Sequence, residues 1–320
     1  MLYAEVSLVH MTATGPSHAH AGFGGYVRLA VLNPVLVVVV LLAGCTGAQG
    51  ASGIQRESSP SRSAPTPTPT PAEVEVDLQG AVDEATAYAA SQGVTAGIAI
   101  IDREFGTEVV NASASTAIRT ASLVKLFIAD NLLQRQRSGE FQLSEQDGAL
   151  IESMLIFSDD SAAESLYSRF GQETMVIEVA QRYGLASLTP ASPPAEWELT
   201  SVSAIDMARY YDLFLRQTPA VDRDYVVGLL RRSSPIAADG FNQSFGLPAA
   251  LTGATAGIKQ GWMCCPDGNS YLHSTGIIGT DNRYSLVILT VEPNGSAAAF
   301  RTDVLDAIAR LVFQSGIRVD

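Results

Sequence analysis

Apolar residues recur along the later three-quarters of this chain in patterns that predict its elements. Leu78, Ala81, Val82, Ala85 and Ala89 fall on one face of a 3.6-residue repeat, predicting a helix over residues 77–91. Residues 97–101 and 108–110 are short apolar runs joined by Asp102-Arg103-Glu104-Phe105-Gly106, a hairpin signal. Residues 122–137 are apolar almost all round (Leu123, Val124, Leu126, Phe127, Ile128, Leu132, Leu133), which predicts a buried helix. Further helices are expected at 144–156, 160–169, 172–183 and 203–216, with no strands between them. Residues 256–263, 271–279 and 284–291 read as three strands in series, and their short connections make neighbours antiparallel. Val304, Leu305, Ile308, Leu311 and Val312 close the chain with an amphipathic helix.

This order defines an α+β fold class. Strands from both ends of the chain build one antiparallel sheet, flanked by N- and C-terminal helices. An all-helical lobe is inserted into it, and a cleft between sheet and lobe is where a site is expected.

The N-terminal part differs. Residues 35–44 form an unbroken apolar run, too short for a stable span and the right length for a signal h-region. The run ends in Leu42-Ala43-Gly44-Cys45, which resembles the lipobox of bacterial lipoproteins, where cleavage precedes a cysteine that receives lipid. A plain secretory signal, or a buried core strand with Cys45 incidental, is the alternative. Residues 1–26 carry no Lys or Arg, so the positive n-region rests on Arg28, and translation is expected to start near Val27. Residues 46–76 are rich in Pro, Ser and Thr, including Ala64-Pro65-Thr66-Pro67-Thr68-Pro69-Thr70-Pro71. Such a segment buries no core and tends to extended polyproline geometry, as a tether would; a proline-rich ligand for a partner is the competing reading. Residues 77–320 are then one domain.

The formal net charge is −13, all of it after Cys45 because Glu5 and Arg28 cancel. An acidic exported domain argues against nucleic-acid binding and against adhesion to anionic lipid head groups. Membrane attachment would run through the lipid at Cys45, placing the domain outside the cytoplasm.

Candidate chemistry begins at Ala121-Ser122-Leu123-Val124-Lys125. On a helix, positions three apart share a face, so the lysine nitrogen can reach the serine hydroxyl. In apolar surroundings a lysine loses the proton that otherwise blocks it as a base. Alone, the pair also fits an ordinary exposed helix start. Subtraction favours chemistry. Of His10, His18, His20 and His273, only the last follows Cys45. No serine sits in a Gly-x-Ser-x-Gly frame, no His, Cys and carboxylate cluster has metal spacing, and no Gly-rich phosphate loop occurs. No metal or cofactor is expected.

Two further motifs follow in order: Ser158-Asp159-Asp160 at a helix start, and Lys259-Gln260-Gly261-Trp262 on the first late strand. Together the three motifs resemble the serine β-lactamase and penicillin-binding-protein superfamily, which carries Ser-x-x-Lys, Ser-Asp-Asn and Lys-Thr/Ser-Gly in this order. The form most similar is the β-lactamase-like lipoproteins of actinobacteria, on Lys125-Leu126-Phe127-Ile128-Ala129-Asp130 and Lys259-Gln260-Gly261-Trp262-Met263-Cys264-Cys265. The resemblance spans residues 77–320 and implies a β-lactamase/transpeptidase-like fold. It implies Ser122 as nucleophile, Lys125 as general base and Ser158 as proton relay to the leaving amine. Lys259 would supply positive potential for a substrate carboxylate and hold neighbouring ammonium groups partly deprotonated. Gly261 would allow close backbone approach, and the amides of Ser122 and Trp262 would form the oxyanion hole. Asp160, Gln260, Gly261 and Trp262 would contact substrate, a cell-wall peptide or a β-lactam.

The chain departs from that pattern at two places. Asp160 stands where the superfamily has Asn, and an ionised carboxylate cannot donate a hydrogen bond. It must be protonated, point elsewhere, or pair with Lys125. Gln260 replaces a hydroxyl residue near the expected substrate carboxylate. The loop over residues 185–199 is shorter than the class A loop bearing the deacylating glutamate; Glu198 is a stand-in or a solvated surface residue. Cys264 and Cys265 form either a strained disulfide, favoured by an oxidising compartment, or two buried thiols. His273 is expected to be a satisfied core residue. Three readings stay open. One is a lipid-anchored serine hydrolase of the β-lactamase or D-alanyl-D-alanine peptidase type, acylated at Ser122. Another is a degraded β-lactamase fold that binds cell-wall peptide or an envelope partner, and the third is an esterase.

Overall fold

The computed structural model describes residues 77–296, 298–314 and 317. The expected signal segment, Cys45 and the proline-rich tether lie outside the described residues. The first helix, α1 (Leu78–Ser91), starts where the Asp77 carboxylate accepts from the Gly80 amide, and it buries Ala81, Val82, Ala85 and Ala89. Five strands form the main sheet: β1 (Thr95–Asp102), β2 (Thr107–Val110), β5 (Ala256–Cys264), β6 (Asn269–Ile278) and β7 (Tyr284–Pro293). They run in the order β2-β1-β7-β6-β5, each neighbouring pair antiparallel. The chain's two ends meet in the centre, where β1 pairs with β7 from Thr95↔Val291 to Asp102↔Tyr284.

Strand side chains alternate faces, and here both faces are buried. Ile98, Ile100, Leu286 and Ile288 pack into a core with α1 and α9 (Thr302–Gln314). Ala99, Ile101, Val287 and Leu289 point the other way, into the core of the helical lobe. That lobe contains α2 (Val124–Arg137), α3 (Glu145–Ile156), α4 (Asp160–Phe170), α5 (Glu173–Tyr183) and α6 (Ala204–Gln217). As the pattern predicts, α2 is buried on every side from Val124 to Leu133. The α+β architecture, with its antiparallel sheet, flanking helices and inserted lobe, is therefore as expected.

Three features differ from the sequence reading. Residues 121–123 form a tight 3₁₀ turn ahead of α2, so Ser122 precedes the α-helix proper. The helical stretch is also not free of strands. β3 (Ala117–Arg119) pairs antiparallel with β4 (Ser201–Ser203) as a separate ribbon. Three residues carry no readable alternation, and the ribbon is set by tertiary pairing. Finally, α7 (Ala220–Arg231) and the short α8 (Leu247–Ala250) arise where no element was expected. In α7, Val226, Val227, Leu229 and Leu230 form the buried face around Gly228, a residue of low helix propensity.

Phe127 lies at the centre of the lobe core, its ring edge-on to Tyr210 at 4.8 Å. Truncation there removes both burial and the aromatic pair. Phe127→Ala is expected to lower unfolding stability by about 3–5 kcal/mol, read as a shift of the denaturant midpoint at unchanged slope.

Candidate active site

The Ser122 turn, the start of α4 and the edge strand β5 converge on two buried lysines. Lys125 is 0% exposed and Lys259 1%. The Lys125 ammonium donates to Ser122 Oγ at 2.8 Å, to the Ser158 carbonyl at 2.6 Å and to Asp160 Oδ1 at 2.5 Å. A longer contact, 3.3 Å, reaches Ser158 Oγ. Lys259 Nζ donates to the same Ser158 Oγ at 2.9 Å and to the Gln260 carbonyl, also at 2.9 Å. Ser158 Oγ thus sits between the two amines. Burial pushes the Lys125 pKa down, against the opposing pull of Asp160. Burial and then the Lys125 charge push Lys259 well below the ordinary lysine value.

The backbone is held in unusual conformations here. Ala121 has φ of +46° and Ser158 φ of +53°. Non-glycine residues in the left-handed region cost on the order of 1 kcal/mol each and persist where surroundings over-determine them. At Ser158 that conformation turns both carbonyl and hydroxyl toward Lys125. Asp159 caps α4 by accepting from the Ala162 amide, and it takes the Ser153 hydroxyl on its other oxygen. Ser158 is therefore anchored from the helix side.

Around this centre the fold fixes the serine turn from three directions. The Thr120 amide donates to the Thr200 carbonyl, continuing the β3–β4 ribbon. His273, buried on β6, accepts from the Thr290 amide at Nδ1, and its Nε2–H donates to the Arg119 carbonyl at 2.8 Å. Burial lowers the His273 pKa to about 4, so the ring is neutral. Gly261, opposite His273, packs directly on the turn: a Cβ there would lie 2.9 Å from the Thr120 carbonyl and 3.3 Å from Leu123. No side chain fits at that position. Thr275 donates to the Lys259 carbonyl and receives Tyr211 from α6, fixing the strand at Lys259.

Ser122 opens into a cavity of about 210 Å³ lined also by Ala121, Asp160, Trp197, Glu198, Trp262, Met263 and Cys264. Trp262 stacks on Phe241 at 4.8 Å and donates from Nε1 to Asp239. The Trp197 ring lies 5.1 Å from Lys125 Nζ, and its Nε1 donates to Glu164. Cys264 and Cys265 are joined as a disulfide at the end of β5.

Most of the residues singled out by sequence meet here: Ser122, Lys125, Ser158, Asp160, Lys259, Gly261 and Trp262. Of the three fates open to Asp160, the structure shows pairing with Lys125. Gln260 is a correction. Its side chain is fully buried and does not line the cavity; Nε2 donates instead to the carbonyls of Gln243 and Phe245. It therefore cannot take the place of the hydroxyl expected near a substrate carboxylate. Glu198 lines the cavity; burial first, then Glu196, Asp160 and Glu164, raise its pKa. Trp197 was not singled out, and only its packing against Lys125 reveals it.

No protein-family model matches the chain. Over 244 residues it is 40% identical to a protein described as "Putative lipoprotein LppW" from Mycobacterium tuberculosis, and equally to that from Mycobacterium bovis. The match covers 75% of this chain and 76% of the relative. The chain belongs to the LppW family. Its fold is also that of solved structures of PBP-A and of β-lactamases. PBP-A superposes with a TM-score of 0.62 at 18% identity, over 74% of this chain and 96% of that one. A β-lactamase from Chitinophaga pinensis superposes with a TM-score of 0.59 at 14% identity, over 74% and 99%. A reconstructed last common ancestor of Gram-negative class A β-lactamases gives 0.61 at 17%, again over 74% and 99%. These likenesses show a β-lactamase/transpeptidase-like fold.

The neutral His273 generates a pH dependence. Between the ordinary value of 6.5 and about 4, the unfolded chain binds a proton that the folded chain refuses. Stability from this group is complete above pH 6.5 and is lost as pH falls toward 4, by on the order of 3 kcal/mol. Denaturant titrations from pH 7 to pH 4 are expected to show a shallower loss for His273→Gln than for the native chain.

Proposed function

We propose that this domain is a serine acyl-transfer enzyme of the β-lactamase and D-alanyl-D-alanine peptidase type, acylated at Ser122. The observation that carries this reading is the 2.8 Å contact from a fully buried Lys125 amine to Ser122 Oγ. Burial favours the neutral amine, which can accept the hydroxyl proton as Ser122 attacks an acyl carbon. Ser158 Oγ, within reach of both amines, then carries a proton to the departing group. Lys259 keeps a second amine beside Ser158, one on which the Lys125 charge disfavours a proton. The developing oxyanion is assigned to the amides of Ser122 and Trp262; β5 is the sheet edge, so backbone groups on its outer side are not used by a neighbouring strand. Glu198 is a candidate to activate the deacylating water, since it lines the cavity and its raised pKa makes its carboxylate a stronger base. A cell-wall peptide or a β-lactam is the proposed ligand class, with Cys45 as a lipid anchor to the extracytoplasmic face of the cell membrane.

A second reading has one specific observation behind it. Asp160 holds Lys125 in an ion pair, and the charged ammonium cannot act as a base. On that reading the domain binds cell-wall peptide or an envelope partner without turnover.

Intact-mass measurement separates the two. With penicillin G or a neutral thioester, the enzyme reading expects an acyl adduct on the native protein and none on Ser122→Ala. Lys125→Ala is expected to slow acylation by about 10²–10⁴-fold. Asp160→Asn frees the amine and restores a donor, and is expected to speed acylation by about tenfold or more. Absence of any adduct in folded native protein, together with retained ligand binding, would support the binder.

A further inference from the structure

Lys125 lines neither of the spaces that open beside it, and one indole borders both. Trp197 lines the serine cavity and also a larger groove of about 600 Å³ that continues past Ser161 and Glu164 of α4. Its ring lies 5.1 Å from Lys125 Nζ, and the residue is itself only 7% exposed. Ser122 and Asp160, which also line the cavity, meet the amine as hydrogen-bond acceptors. Trp197 is the apolar part of the cover between the amine and solvent.

The ring is held from two sides. On one, its Nε1 donates to Glu164 Oε2 at 3.1 Å. Glu164 lies one turn beyond Asp160, so one face of α4 presents a carboxylate to the amine and another to the ring that covers it. On the other, the 3₁₀ turn Trp197–Leu199 is closed by the Thr200 amide on the Trp197 carbonyl. The Thr200 carbonyl in turn accepts from the Thr120 amide, two residues before the nucleophile. The cover is thus tied to the helix that supplies Asp160 and to the turn that supplies Ser122.

Two effects of the ring on the amine oppose each other. Its face attracts an ammonium, which favours the charged form by about one pK unit. Keeping water out disfavours the charge, and full burial is worth about three to five units. Burial is also the largest influence on Lys125 in the folded chain, so exclusion of water wins. The charged groups acting on Lys125 are Asp159 and Asp160 at the start of α4, Asp239 ahead of β5 and Lys259 on β5; Glu164, Glu196 and Glu198 border the groove. A change of the ring leaves all of them in place.

Resting on the acyl-transfer reading, we infer that Trp197, clasped by Glu164, is a positioning residue that seals the Lys125 amine from water and keeps it able to accept the Ser122 proton. The step itself is unchanged. The Ser122 Oγ–acyl bond forms as the bond to the leaving group breaks, and the Oγ proton passes to Lys125 and then, through Ser158, to the leaving group. Without the ring, water reaches the amine and stabilises its ammonium form, and acylation sets in only at higher pH.

Acylation of the purified protein by benzyl thiohexanoate, which has no ionisable group, is followed by intact mass across about pH 5 to 9. The rate rises with the neutral fraction of Lys125, and the midpoint of that rise is compared between variants. In Trp197→Ala the midpoint is expected about one unit higher, which is about tenfold slower acylation on the rising limb. Glu164→Ala and Glu164→Gln remove the same charge, but only glutamine keeps an acceptor for the indole. The midpoint of the alanine variant is expected about half a unit above that of the glutamine variant, about threefold in rate. Glu164 is exposed, so this pair decides the matter even where Trp197→Ala does not fold. A Trp197→Ala midpoint at or below the native one, or coincident midpoints for the two Glu164 variants, would overturn the inference while leaving the serine nucleophile standing. Failure of folded native protein to acylate at any pH would overturn the acyl-transfer reading and the inference with it.

Discussion

Two ammonium groups removed from water beside one serine hydroxyl are the constraint on which this structure turns. Stripping hydration from each lysine costs several kcal/mol unless acceptors replace it. The protein supplies them: Ser122 Oγ, the Ser158 carbonyl and Asp160 for Lys125, and the Gln260 carbonyl for Lys259, with Ser158 Oγ facing both. Those acceptors come from a turn, a helix start and a strand far apart in sequence. The fold must bring the three together closely enough to satisfy both amines. The remaining imbalance is expressed as proton affinity, with both lysines pushed toward the neutral form that acyl-transfer chemistry uses.

Much of the surrounding architecture serves that convergence. The buried two-sided sheet makes β5 a rigid edge, and Gly261 allows this edge to press against the Thr120 carbonyl. His273 ties β6 and β7 to Arg119, just ahead of the nucleophile, and does so as a neutral ring. Tyr211 and Thr275 pin the strand at Lys259 from α6. Left-handed backbone at Ala121 and Ser158 is held by this rigid frame. The lobe's aromatic core, centred on Phe127 and Tyr210, backs the helix that carries Lys125.

The same constraint shapes the surface. Both lysines are buried, and neither lines the cavity. The exposed charge at the cavity mouth comes from carboxylates on α4 and on the turn bearing Trp197. Asp160 belongs to both worlds: its side chain is 67% exposed, yet one oxygen satisfies Lys125. Asp160 thus acts on the proton affinity of Lys125 and on the field at the cavity together.

The sequence by itself determined most of the helices, the antiparallel sheet built from early and late strands, and the motif residues Ser122, Lys125, Ser158 and Lys259 that the structure brings together. These follow from local periodicity, from short connections and from motifs whose residues lie within a few positions of one another. Only tertiary structure decided the rest. The β3–β4 ribbon joins segments of three residues each, too short to show a period. Trp197 against Lys125, Glu198 in the cavity and Asp160 on the buried amine are contacts across the fold, set by packing and desolvation. No local pattern encodes which carboxylate a buried lysine will meet; that is fixed when the sheet edge and the helical lobe close on each other.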